Sequence, residues 1–154
     1  MNIFFLDSSA LTKRYLQEIG SGWVVELTDP AAGTAIMIAE ITRVEVAAAL
    51  AARCRAGAIG VSERDDLVSL VLRHCDEEYQ LVAIEPTVTS KAVALTQRHR
   101  LRGYDAVQLA AALVSNELLV AADVPALIFV TADADLITAA RAEGLRAENP
   151  NQHL

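Results

Sequence analysis

Ile3-Phe4-Phe5-Leu6-Asp7-Ser8-Ser9 sets four consecutive apolar residues against an acid and two serines. A short run that is apolar at every position reads as a strand buried on both faces, the kind found in the middle of a parallel sheet. Asp7 then stands at the carboxyl end of a central strand. Open α/β sheets place their ligand crevice at that edge. Leu11, Tyr15 and Leu16 follow at helical spacing, which predicts a helix over residues 8–18.

Outward from this stretch the pattern alternates strand and helix. Glycines 20 and 22 break the first helix, and a short second one is predicted over 23–27. Further strands are predicted over 34–38, 80–84 and 126–130, with a possible fifth, at the edge, over 145–148. Helices are predicted over 40–55, 62–78, 87–101, 104–121 and 133–143. Strands alternating with helices imply βαβ crossovers. The expected fold is a three-layer α/β/α sandwich with a mostly parallel sheet of four or five strands. It forms one domain over residues 1–148, and residues 149–154 form a polar C-terminal tail.

A chain of 154 residues suits a single domain and can bury roughly two-thirds of its unfolded surface, so no disulfide or structural metal is needed. Cys54 and Cys75 form no C-x-x-C pair and read as free thiols. No charged segment precedes an apolar core at the start, and no apolar run is long enough to span a bilayer. A cytoplasmic protein with no membrane association is expected. The formal charge of −7 argues against a broad basic footprint on nucleic acid. A polyanion would have to be met through local cations. With 53% apolar residues, the chain has surplus apolar surface suited to an oligomer or a protein partner.

Four acids stand out by position. Asp7 follows the first strand, Glu45 lies in an alanine-rich helix, Asp105 starts the long helix, and Asp133 follows the fourth strand. Each aspartate has a plain structural explanation as a helix cap, and Asp105 with Gln108 fits a capping box. Glu45 shares a helical stripe with Ile41, Ala48 and Ala52, which places an acid among core-type residues. An unpaired buried carboxylate is costly, so it either pairs with a base or faces a polar crevice. Strand ends and helix starts would bring the aspartates to one edge, with Glu45 able to reach it from its helix. Carboxylates crowded there repel one another and demand protons or cations. Hard oxygen donors suit Mg²⁺ or Mn²⁺, and such a site suggests phosphoryl chemistry.

Competing motifs are absent. There is no phosphate-binding glycine loop and no G-x-S-x-G elbow, so Ser8 and Ser9 read as caps or supporting donors. His74, His99 and His153 have no zinc-like spacing. The D-x-D of aspartyl phosphatases is missing, because Ser9 stands where its second acid would be.

FFLDSSAL near the start, ITRVEVAAAL in the middle, LRGYDAVQLAAAL later and FVTADADL near the end resemble, in order and spacing, the PIN-domain family and within it the VapC-type toxins of bacterial toxin–antitoxin pairs. The resemblance implies a PIN-like fold and an endoribonuclease dependent on Mg²⁺ or Mn²⁺. Asp7, Glu45, Asp105 and Asp133 match the family's acidic quartet, the metal-binding and catalytic residues. Thr131 matches a polar residue that supports the site, and Ser9 is a second supporting candidate. Asp135 is a possible substitute for Asp133. The expected partners are an RNA substrate, a cognate antitoxin and a second copy of the chain. Candidate phosphate contacts are Lys13, Arg14, Arg43, Arg98, Arg100 and Arg102. Two other classes remain open: a non-catalytic PIN-like interaction module and a small metal-dependent phosphatase.

Overall fold

A computed structural model describes all 154 residues. Strand β1 (Ile3–Leu6) is buried along its whole length. Its side chains alternate between two cores, as the two-residue period of a strand requires. Ile3 and Phe5 enter one core, and Phe4 and Leu6 enter the other. The same alternation runs through β2 (Ala35–Ala39) and β4 (Ile128–Val130): Met37 and Phe129 join Phe5, while Ile36, Ile38 and Val130 join Leu6. Phe5 and Phe129 stack across the β1–β4 pair with ring centroids 5.9 Å apart.

The sheet is completed by β3 (Tyr79–Val82) and β5 (Arg146–Glu148), in the order β3-β2-β1-β4-β5. Every pairing is parallel. One face is covered by α1 (Ser8–Tyr15), α2 (Ser21–Thr28), α3 (Thr42–Arg55) and α4 (Val61–Glu77). The other is covered by α5 (Pro86–Arg98), α6 (Gly103–Ala121) and α7 (Ala134–Ala142). The three layers match the expectation, and the sheet is the five-stranded, wholly parallel version of it. Strand order reverses between β1 and β4. A crevice opens at the carboxyl edge of such a switch point because the two connections leave in opposite directions.

Three local departures have physical causes. Helix α1 stops at Tyr15, where Leu16 turns extended, and Glu18 leaves the helix to pair with Lys13 and Arg53. The stripe Ile41, Glu45, Ala48, Ala52 does not face the core. Thr42, Val46 and Leu50 are the buried stripe of α3, and Ala48 and Ala52 are exposed. The end of the chain is held down: Pro150 is buried, and the His153 ring stacks on Trp23 at 4.1 Å. Gly20, at φ +84°, lies against Pro150 so closely that a Cβ there would sit 2.2 Å from its carbonyl oxygen.

Candidate active site

Asp7 leaves β1 as the N-cap of α1. One carboxylate oxygen accepts the Ala10 N–H at 2.9 Å and the Ser9 hydroxyl at 2.7 Å. The other accepts the Thr131 hydroxyl at 2.5 Å. Thr131 follows β4 directly and is fully buried, and its oxygen accepts the Asp133 N–H at 3.1 Å. Ser9 accepts the Ala132 N–H at 3.0 Å. These bonds lace the carboxyl ends of β1 and β4 together. Asp7 is only 4% exposed. Burial pushes its carboxyl from 3.8 up to about 6, against the pull of the three donors, and the charge of Asp105 adds to the rise.

Asp133 caps α7 through the Leu136 N–H at 3.0 Å and is exposed. Asp105 sits in the first turn of α6, where negative charge is favoured by the helix dipole. Partial burial and then the neighbouring charge of Asp133 nevertheless raise its carboxyl above the ordinary value, with Glu45 adding to the rise. Asp7, Glu45, Asp105 and Asp133 line one cleft at the sheet's carboxyl edge, together with Ser8, Ser9, Lys13 and Tyr104. Asp135 lies outside it. It lines an adjoining cleft that shares Asp105 and Asp133 with the first.

Glu45 pairs with no base. Its two oxygens accept the Ser8 hydroxyl at 3.2 Å and the Gln108 amide at 2.7 Å. Gln108 does not close a capping box with Asp105. The side chain is 1% exposed and its amide nitrogen also donates to Thr42 at 2.8 Å. Its oxygen is buried without a partner. Turning the amide over would set that oxygen against the Glu45 carboxylate, so the acid dictates the orientation. The signal that would have found this role is a polar residue amid Ala106, Leu109 and Ala110 on a buried helix face. Gln108→Leu keeps the bulk and removes the donor to Glu45. If Glu45 serves in catalysis, the variant is expected to lose about 10- to 100-fold in kcat, the usual effect of freeing a site ligand from its support. Its melting temperature should hold. An unchanged kcat would show that the Gln108 bond is purely structural.

The candidate cations divide. Lys13 lines the carboxylate cleft, paired to Glu18 at 3.3 Å. Arg100 and Arg102 line the adjoining cleft. Arg14, Arg43 and Arg98 are placed elsewhere. Arg14 is tied to Glu78 at 3.1 Å and to the Tyr79 hydroxyl. Arg98 is tied to Glu143 at 2.8 Å. Arg43 lies by Cys75 of α4, where burial raises the thiol and the arginine's charge only partly opposes it.

No three His, Cys, Asp or Glu side chains are set to enclose an ion between them. The donor set fits a different kind of binding. Mg²⁺ keeps several waters and takes one or two carboxylates plus substrate oxygens. Acids that raise one another's affinity for protons are relieved by a cation among them.

The family model of the PIN domain matches residues 4–142. Ribonuclease VapC45 and Ribonuclease VapC49, from two strains of Mycobacterium tuberculosis, are each 31% identical to this chain, covering 95% of it and 94% of the relative. Among solved structures, FitAcB from Neisseria gonorrhoeae superposes with a TM-score of 0.66 at 15% identity, covering 99% of both chains. VapBC2 from Rickettsia felis, bound to a fragment of its promoter DNA, superposes at 0.64 with 14% identity, covering 96% of this chain and 98% of that one. The structures share the fold, and the family model and the mycobacterial relatives share the sequence pattern that runs from β1 through α7. The chain belongs to the PIN-domain family, among its VapC-type members.

Proposed function

We propose that this protein is a divalent-metal-dependent endoribonuclease, the toxin of a toxin–antitoxin pair. The observation that carries the reading is the meeting of Asp7, Glu45, Asp105 and Asp133, from four separate segments of the chain, in one cleft at the switch point of the sheet. The names of the mycobacterial relatives support the ribonuclease class. The toxin–antitoxin complex from Klebsiella pneumoniae, similar in fold at a TM-score of 0.60, supports an antitoxin as partner. Exposed Val93 on α5 and Leu118 and Val120 on α6 support self-association. The proposed compartment is the cytoplasm, and no helix is long and apolar enough to cross a membrane.

In this reading Asp7, Asp105 and Asp133 would hold the Mg²⁺ or Mn²⁺, directly or through its waters, with Glu45 as a further ligand or as the group that orients the attacking water. An ion held there would supply neutralisation of charge on the scissile phosphate and a more acidic water beside it. Thr131 and Ser9 keep the Asp7 carboxylate in one orientation. Ser8 and Gln108 hold Glu45 by one oxygen each, leaving the second lone pair of each oxygen for water. The water gives up a proton as its oxygen bonds to phosphorus, the bond to the leaving oxygen breaks, and that oxygen takes up a proton from solvent, so the strand is cut. Lys13, Arg100 and Arg102 are the proposed phosphate contacts.

Purified protein incubated with single-stranded RNA is expected to cut it with Mg²⁺ or Mn²⁺ present, to stop in excess EDTA, and to resume when the ion is restored. Cutting that persists in EDTA would remove the metal from the mechanism. No cutting of any RNA with either ion would favour a PIN-like module that only binds a partner.

A further inference from the structure

The chain has three Phe, three Tyr and one Trp, and six of these seven rings are packed away. Phe4, Phe5, Phe129, Tyr15 and Tyr79 are buried, and Trp23 is half-buried under His153. Tyr104 alone is largely open, at 47% exposure, and it stands in the first turn of α6 next to Asp105, lining the carboxylate cleft. Its hydroxyl accepts a bond from the Arg102 guanidinium at 2.9 Å. Arg102 lines the adjoining cleft with Asp105 and Asp133. Tyr104 and Arg102 therefore bridge two clefts that share the same pair of acids.

A ring left in water at this place contributes little to the core. It does offer a flat apolar face beside the proposed scissile position, in a cleft of about 580 Å³, a volume in the range of small-ligand sites. The cleft is strongly acidic, so a polyanion gains little there from simple charge attraction. A nucleobase is uncharged on its faces and stacks on an aromatic ring whatever its sequence. Base faces are free in single strands and hidden in duplexes.

We propose that Tyr104 is the base-stacking platform of this site. It takes one unpaired nucleobase next to the cut phosphodiester, while Arg102 fixes the ring by its hydroxyl. The inference deepens the ribonuclease reading and rests on it.

The test uses a single-stranded RNA oligonucleotide whose cut site has been mapped with the wild-type protein and Mg²⁺. Each of the two nucleotides on either side of the cut is replaced in turn by an abasic one. At one position the wild type is expected to lose about 5- to 150-fold in kcat/KM, the range of base–aromatic stacking. Tyr104→Ala and Tyr104→Leu should lose a similar factor on intact RNA and show little further loss at that abasic position. Tyr104→Phe, which keeps the ring, should retain most of the abasic penalty. The inference is overturned if Tyr104→Ala suffers the full wild-type penalty at every position, or if Tyr104→Leu behaves as Tyr104→Phe does. A wild type that cuts no RNA instead removes the ribonuclease reading, and this inference with it.

Discussion

Asp105→Asn is expected to slow RNA cleavage by about a thousandfold or more while leaving the fold intact. The side chain lies in the first turn of α6 at the point where the two clefts meet. Its carboxyl is raised by partial burial and by the charge of Asp133, so it is an acid held beside other acids at an energetic disadvantage. Replacing it with the isosteric amide relieves that repulsion and should not lower the melting temperature. It also removes a negative oxygen from the place where a divalent ion would be held. Metal stabilisation of a developing phosphoryl charge is worth several kcal/mol, and about 4 kcal/mol corresponds to a thousandfold in rate. Cleavage at the wild-type rate by this variant, with Mg²⁺ present, would sink the assignment of the four acids.

Asp7→Asn should move activity and stability in opposite directions. Activity is expected to fall as far as for Asp105→Asn. Stability follows from the raised carboxyl of Asp7, at about 6 when folded against 3.8 unfolded. Between those values the folded protein holds the extra proton, so stability from this group is greatest below pH 3.8 and is lost as pH rises through 6. The difference of about two pKa values corresponds to roughly 3 kcal/mol. The metal-free wild type therefore carries this penalty in full at pH 7.5, and Asp7→Asn does not. In EDTA the variant is expected to melt several degrees above the wild type at pH 7.5, with the gap closing near pH 4. Saturating Mg²⁺ should narrow the gap from the other side by stabilising the wild type. A variant that melts below the wild type at pH 7.5 in EDTA would show that the Thr131, Ser9 and Ala10 bonds, rather than burial of charge, dominate at Asp7.

How much of the site was legible differs residue by residue. Asp7 and Asp133 were visible because the first directly follows an apolar strand segment and the second comes just after Thr131-Ala132 beyond another, and a strand end is a local feature. Both proved to be helix caps as well as cleft residues, accepting from Ala10 and Leu136, so the structural explanation and the cleft position coexist. Glu45 reads in sequence as lying among core residues because alanine is equally at home in a core or on a surface. Ala48 and Ala52 therefore carried no information about which side of α3 is buried. Asp105 stands three residues before Gln108, which in sequence points to a local cap, yet the amide reaches Glu45, 63 positions away. The basic residues were the least legible. Arg14 meets Glu78 and Arg98 meets Glu143, and nothing in the neighbourhood of either arginine in the sequence announces its partner.

The sequence by itself determined the alternation of strands and helices, the central place of Ile3–Leu6, and the acids that follow β1 and β4. Each of these is written in residues close together in the chain, where apolar periodicity and capping preferences act. Only the tertiary structure decided that β4 lies beside β1 with the order reversing between them, and so that Thr131 could grip Asp7 across 124 positions. It alone decided which arginines remain for a substrate and that Tyr104 is the ring left open. Those outcomes depend on which helix faces are buried against the sheet, and the free energy of that burial is summed over the whole core rather than over any local stretch.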